Sequence, residues 1–544
     1  MSVNRAQHRP AALPAAAPAV AGEVVADPDR GGGLAGPIVA AAPSAGRRQL
    51  GRLDTVLFLI SAMVVVDTIG AISVGGAQAF TWLVVLGLTF FVPSALATAE
   101  LGAALPEEGG AYVWVREAFG ARAGSLASLL YWAGTPVWVG GSVAVVAISV
   151  VDRFVVAVPT SGRLLLGLVF VGLASLGGVV PLRVGKWVPG SGAIAQVALL
   201  GFFTVSVIAY GVRHGFVAVV PVLLYSFVGV ELPSAAAEEM HDPCRDVPVA
   251  ILRGGIAQAL MYGVPVLAVL CVLPPERISS LGGFLDALRD VLTVYGGRVS
   301  PDGSASLTGV GAFAGLVTAA TFVWVLLASG TTWLMGTART QAAACRDGAG
   351  PAALGRISPV TGVPVTMTAL SGVASAVVLI VGFAATGGDG QRYFTVTLTG
   401  AIAFDVLAFL LVYPSFAVLR HRRPHLARPF RVPGGSATAW LLTLASTGWT
   451  VVAAVCLLWP GLGTAQPDAH LPAGFEGRRW DFELLAAAPV TVLLTAVVLY
   501  GGWCDLARRR TGRAAAAALS AAATDPCRLD HRNSRRDLDP SVAK

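Results

Sequence analysis

Apolar stretches close to the length of a bilayer crossing recur along this chain, near 54–78, 80–104, 125–150, 163–181, 188–210 and 216–240. A second set follows near 249–273, 308–338, 363–384, 394–419, 437–459 and 484–503. A helix needs about 20 predominantly apolar residues to cross the hydrocarbon core, and inside it every backbone polar group must be satisfied by the segment itself or its neighbours. The pattern therefore predicts an all-α integral membrane protein of about twelve transmembrane helices. Composition points the same way. Only 13% of the 544 residues are charged and 55% are hydrophobic, whereas soluble domains carry roughly a quarter charged residues.

Charge says more about orientation than about partners. The net charge is +7, a balance that in a soluble protein would suggest nucleic acid. Here the basic residues sort by loop, and no nucleic-acid partner is expected. With the N-terminus inside, the inner segments hold Arg47, Arg48, Arg52, Arg116, Arg122, Arg183, Lys186, Arg245, Arg253, Arg339, Arg346 and Arg356, then Arg420, Arg422, Arg423, Arg428, Arg431, Arg508 to Arg510 and Arg513. That is roughly twenty basic residues against about nine outside, the asymmetry of the positive-inside rule. It requires an even number of spans, and predicts a multi-pass protein of the cell membrane with both termini cytoplasmic.

Residues 1–50 form an Ala/Pro/Gly-rich stretch expected to be a disordered cytoplasmic tail with no cleavable signal peptide. The transmembrane domain is expected over 51–505, and a polar, disordered tail over 506–544. The longest outer loop, 274–307, contains "SSLGGFLDALRDVLTVYGG", whose helical spacing predicts a helix lying on the membrane surface.

Enzyme signatures are missing. There is no GxxxxGK[ST], HExxH, GxSxG or paired DxxD, and Lys186 and Lys544 are the only lysines. The six cysteines are scattered and no His/Cys cluster has metal-ligand spacing, so neither a cofactor nor a bound metal is expected. A transporter, a channel or a receptor remains.

Two spans carry polar and helix-loosening residues at depth. "VVVDTIGAISVGGAQAF" (Val64–Phe80) places Asp67, Thr68, Gly70, Ser73, Gly75 and Gly76 inside the first run, and "LLYSFVGVELPSAAAEEM" (Leu223–Met240) places Ser226, Gly229, Glu231 and Pro233 in the sixth. Paired interruptions in corresponding halves point to a transporter binding site, and these divide the first ten spans five and five. Close helix packing through small residues is the alternative.

Three segments resemble the amino acid–polyamine–organocation superfamily: "ELGAALPEEGGAYVWVREAFG" (Glu100–Gly120), "YSFVGVELPSAAAEEMHDPCRDVPVAI" (Tyr225–Ile251) and "GTARTQAAACRDGAGPAALGRISPVTGVPV" (Gly336–Val365). The resemblance covers about 50–505. It implies a five-plus-five inverted repeat with two further helices, and substrate held between broken spans one and six. Many members read G-S-G at the first break. This chain reads Gly70-Ala71-Ile72, which narrows the room there or moves the break towards Ser73–Gly76.

On that resemblance the substrate-binding set comprises Asp67, Thr68, Ile69, Gly70, Ala71 and Ile72 from span one. Gly134 and Thr135 come from span three, Tyr225, Ser226, Phe227, Val228 and Gly229 from span six, and Trp333 from span eight. Asp67, Glu231 and Asp405 are candidates for proton coupling, because acids inside a membrane are costly unless paired or functional. Ser329 and Thr332, with Thr331, are sodium candidates; bonding back to their own helix is the alternative. Span five has no lysine, which excludes a lysine-based proton switch. The implied function is secondary transport of amino acids or related amines by alternating access, proton-coupled or exchanging. A sensor that binds an amino acid with little flux would present the same pocket. The expected partners are a small-molecule amine and the lipid bilayer; the sequence does not fix the oligomeric state.

Overall fold

The computed structural model describes residues 52–211, 243–300, 303–462 and 466–485 except 473, with 487, 491 and 495 beyond them. The sixth apolar run, with Tyr225, Ser226, Phe227, Val228, Gly229 and Glu231, lies outside the described residues, as do both tails.

Helices make up almost all of what is described. α1 (Arg52–Met63) and α2 (Thr68–Ser73) share the first apolar run, followed by α3 (Ala77–Leu86) and α4 (Val92–Ala104), which a π turn joins. α5 (Ala111–Phe119) is a short connecting helix. Gly120, at φ 93°, ends it and admits α6 (Ala121–Trp138), because a glycine takes positive φ without Cβ strain. A π turn at Val139–Val143 leads into α7 (Ala144–Phe154), and α8 (Thr160–Val179), α9 (Leu182–Gly185) and α10 (Trp187–Gly211) follow. Then come α11 (Pro243–Val272), α12 (Gly283–Leu292), α13 (Val310–Ala344), α14 (Val365–Ala385), α15 (Gly390–Arg422) and α16 (Gly435–Leu458). The Asp389 side chain caps α15 by accepting from the N–H groups of Gln391 (2.9 Å) and Arg392 (3.3 Å).

Eight helical stretches among the described residues are long and apolar enough to cross a membrane: 81–104, 121–154, 160–179, 187–207, 310–349, 365–385, 390–422 and 435–457. α15 packs on α6 and α16, α10 on α13, α8 on α14, and α11 on both α1 and α4. Leu88, Leu165, Leu176, Phe313 and Leu441 stand 65–68% exposed on the outside. Exposed side chains of this size suit hydrocarbon rather than water. The interior is inverted by comparison: Asp67, Glu100, Asp405, Arg339 and Arg420 are all buried.

The 274–307 loop differs from its expectation. Its helix, α12, does form, but Phe284, Leu285, Ala287, Leu288, Val291 and Leu292 are buried against the protein instead of lying on the bilayer. Phe284 meets Phe203 and Phe322 with ring centroids 5.0 and 5.6 Å apart. The apolar stripe is the same in either setting; the bundle supplies rings to pack against, and a lipid surface does not. A two-stranded ribbon follows, β1 (Gly297–Val299) antiparallel to β2 (Ala305–Leu307), with Arg298 opposite Ser306.

Candidate functional site

The first apolar run unwinds between Met63 and Thr68, earlier than the glycines suggest. Gly70, Ala71 and Ile72 are helical within α2, so the break expected at these residues is corrected to Val64–Asp67; the chain leaves the helix a second time in the turn at Val74–Gly76, where Gly76 takes φ 61°. Unwinding frees carbonyls that hydrocarbon cannot satisfy, and neutral side chains from three other helices take them. Trp333 Nε1 on α13 donates to Ala62 O (2.9 Å), and Gln258 Nε2 on α11 to Met63 O (3.4 Å). Gln196 on α10 donates to Val64 O. Tyr262 Oη accepts from Val65 N–H (2.6 Å) and has one proton to offer to Met63 O (3.4 Å) or Val65 O (3.2 Å). Thr68 Oγ1 turns back to Val65 O (2.7 Å).

Asp67 ends this unwound stretch, 4% exposed. Its Oδ2 accepts from Trp138 Nε1 and Ser142 Oγ, each at 3.1 Å, while its Oδ1 is shut away from water with no hydrogen-bond partner. Tyr131, Thr135, Trp138 and Ser142 follow one another at helical spacing along one face of α6 and its π turn. Such π turns recur at functional sites. Trp138 lies edge-on to Trp333 (5.9 Å), Trp333 reaches Tyr131 (6.1 Å), and Tyr131 reaches Phe409 on α15 (6.2 Å). Asp405, one turn before Phe409, is buried beside Gly134. A Cβ on Gly134 would stand 3.0 Å from Asp405 Oδ1, so the glycine makes room for the carboxylate. Thr135 Oγ1 is buried without a hydrogen-bond partner.

Asp67, Gly134, Thr135, Trp333 and Asp405 are thus brought to one region around α6. Gly70 is not: a Cβ there would meet Ser280 O at 2.8 Å, so it packs against the segment leading into α12. Thr332 Oγ1 donates to Ala328 O (2.7 Å) and lies 3.1 Å from Ser61 Oγ, the back-bonded alternative; Ser329 Oγ is buried with no hydrogen-bond partner. The carbonyls of Ala62 to Val65 each accept an N–H or O–H donor.

Sequence reasoning missed Trp138, Ser142, Gln196, Gln258 and Tyr262. Gln196 and Gln258 left a signal, each being the one glutamine within its apolar run; attention to acids alone passed over them.

Beyond the site, ion pairs stitch together the arginine-rich end. Arg346 pairs with Glu108 (2.5 Å), Arg423 with Glu117 (2.5 Å), and Arg116 with Glu107 (3.1 Å) and Asp347. Tyr112 Oη donates to Asp347 (3.0 Å); burial and that carboxylate raise the Tyr112 hydroxyl above its ordinary pKa.

A family model described as "Amino acid permease" matches residues 50–472. A "Probable agmatine/putrescine antiporter" of Lactococcus lactis is 24% identical over 406 residues, covering 72% of this chain and 83% of the relative. An "Uncharacterized transporter" of Legionella pneumophila is 24% identical over 405 residues, covering 70% and 84%. Among solved structures, a manganese transporter of Eremococcus coleocola, in complex with an aromatic bis-isothiourea compound, superposes with a TM-score of 0.52 at 14% identity. That match covers 84% of this chain and 94% of the other, and at such identity it speaks for the fold alone.

Proposed function

The chain belongs to the amino acid permease family, and from that premise we propose that it is a secondary active transporter of an amino acid or related amine. It works by alternating access and is coupled to protons or to exchange. The reading extends to twelve spans in a five-plus-five repeat, with both termini cytoplasmic, to Tyr225, Ser226, Phe227, Val228 and Gly229 as substrate-binding residues, and to Glu231 as a proton-coupling candidate.

The observation that carries the reading is the free Oδ1 of Asp67 in a wall of Trp138, Trp333 and Tyr131. A carboxylate in a low-dielectric interior costs several kcal/mol unless compensated. An ammonium group supplies that compensation through Oδ1, and the indole faces add cation–π attraction. The relative's substrates, agmatine and putrescine, carry cationic groups at both ends, and a second acid supports the same class here. Asp405 stands at the Gly134 level of α6 while Asp67 stands at the Trp138–Ser142 level, which at 1.5 Å per residue is roughly 6–12 Å along the axis.

The test is uptake and counterflow in liposomes holding the purified protein, with putrescine, agmatine and a panel of neutral amino acids. Asp67→Asn is expected to abolish uptake or change its pH dependence while leaving the protein folded and monodisperse. Unchanged kinetics and pH dependence in that variant would remove Asp67 from the mechanism. Binding without counterflow of any solute would replace the transporter by the sensor.

A further inference from the structure

A cavity of about 290 Å³ opens where α14 ends and α15 begins, far from Asp67 in the chain and used by nothing above. Arg392, Arg478 and Asp481 line it together with Phe475, Leu484 and Leu485. Its size sits at the lower edge of small-molecule pockets, roughly 300–1,000 Å³, enough for a headgroup and too small for acyl chains.

Two features fix its level in the membrane. It lies at the termini of two membrane-length helices, so it is at the boundary between hydrocarbon and water. Trp459, just past α16, and Trp480 pack edge to face at 6.3 Å on the same end of the bundle, with the Arg479 guanidinium 4.9 Å from the Trp459 ring. Tryptophans at this depth mark the headgroup layer. Leu484 forms one wall and is 67% exposed, which opens the cavity sideways onto lipid.

The charges are only loosely spent. Arg479 is engaged by Asp468 (2.5 Å) and Pro460 O (3.1 Å). Arg392 reaches Asp389 only at 3.4 Å and Arg478 reaches Asp481 only at 3.6 Å, beyond the roughly 2.7–2.9 Å of a charge-assisted hydrogen bond. Arg392 Nε is buried without a hydrogen-bond partner, and the side chain is held along Gly474, where a Cβ would stand 2.7 Å from Arg392 Cγ. Glu476, next in sequence to Phe475, accepts from the Gly474 N–H (2.9 and 3.1 Å) and lies in the field of both arginines, and Arg478 Nη2 donates to Gly474 O (3.2 Å). The lining thus offers two guanidinium forks, one available carboxylate and an apolar exit. We infer that this cavity is a binding site for the headgroup of an aminophospholipid, Arg392 and Arg478 holding the phosphate and Asp481 the primary ammonium, with the acyl chains leaving over Leu484. Phosphate suits the arginine fork. Of the common headgroups, phosphoethanolamine matches both signs; a choline headgroup has no N–H for Asp481, and a glycerol headgroup no cation.

Native mass spectrometry of the full-length protein in mild detergent tests this, with phosphatidylethanolamine, phosphatidylcholine and phosphatidylglycerol added in equal amounts. Retention of phosphatidylethanolamine is expected to exceed that of phosphatidylcholine by about tenfold, the worth of one charge-assisted contact. Arg392→Ala/Arg478→Ala is expected to lower retention of all three lipids about tenfold, because the phosphate is common to them. Asp481→Asn, on an exposed helical position, is expected to erase the preference over both phosphatidylcholine and phosphatidylglycerol, and Arg478→Ala alone serves if the double variant fails to fold. Equal retention of the three lipids, or wild-type retention in folded variants, overturns the site. Displacement of the lipid by soluble phosphoethanolamine at equal concentration overturns the lipid as its occupant.

Discussion

Glu100 takes four donors at once: Arg420 Nε (3.1 Å) and Nη2 (2.9 Å), Arg428 Nε (3.2 Å) and the Val432 N–H (2.8 Å). The carboxylate is 1% exposed, and its partners Arg420 and Arg428 are 4% and 8% exposed. It ties α4 to the end of α15 and the loop beyond. Glu100→Gln leaves two buried guanidinium groups short of their anion, and breaking one side of such a cluster costs about 3–5 kcal/mol. Loss of that size is expected in unfolding of the purified protein, whereas an exposed pair such as Arg478 with Asp481 is worth about 1 kcal/mol or less. Asp67 and Asp405 were legible from sequence because an acid inside an apolar run is anomalous in itself. Trp138 was not, since an indole in a membrane helix is ordinary until its N–H is seen on a carboxylate.

At the scale of elements, Gly75 and Gly76 lie in the turn that ends α2, while no glycine marks the earlier break at Val64–Asp67. Glycine lowers the cost of unwinding, but where the helix opens depends on which carbonyls find donors. Gln196, Gln258, Tyr262 and Trp333 converge on residues 62–65 from three helices. α12 shows the same division: its helical spacing is visible in sequence, its destination is not. Asp290 on α12 pairs with Arg277 at 3.0 Å, yet burial raises its pKa above the ordinary 3.8. The folded state therefore binds that proton more tightly than the unfolded chain does. Its contribution is fully present below 3.8 and is lost as pH rises from there through the raised folded value. Hydrogen exchange across 283–292, corrected for the intrinsic rate, is expected to show protection declining over that window. Asp290→Asn is expected to flatten the dependence, and protection that rises with pH in the wild type would contradict it.

Across the whole molecule, helices distant in sequence approach closely at glycines. A Cβ on Gly140 would stand 2.0 Å from Ser375 O on α14, and Tyr393 on α15 donates to Gly140 O at 2.6 Å. Small residues at such crossings let backbones approach where no hydrophobic force drives helices together. Gly140→Ala is expected to destabilise by about 1–3 kcal/mol through overpacking, read as a lower thermal midpoint, and an unchanged midpoint would mean that the crossing relaxes freely. Sequence alone determined that the chain lives in a bilayer, because apolar length and charge scarcity are sums over local residues, which no packing arrangement can reverse. It also determined that acids would be buried at depth. Tertiary structure decided where the first helix opens, that α12 turns inward, and that Asp67 meets Trp138 and Ser142. Each depends on donors and surfaces brought from helices far apart in the chain, and a local pattern carries no record of which of them will meet.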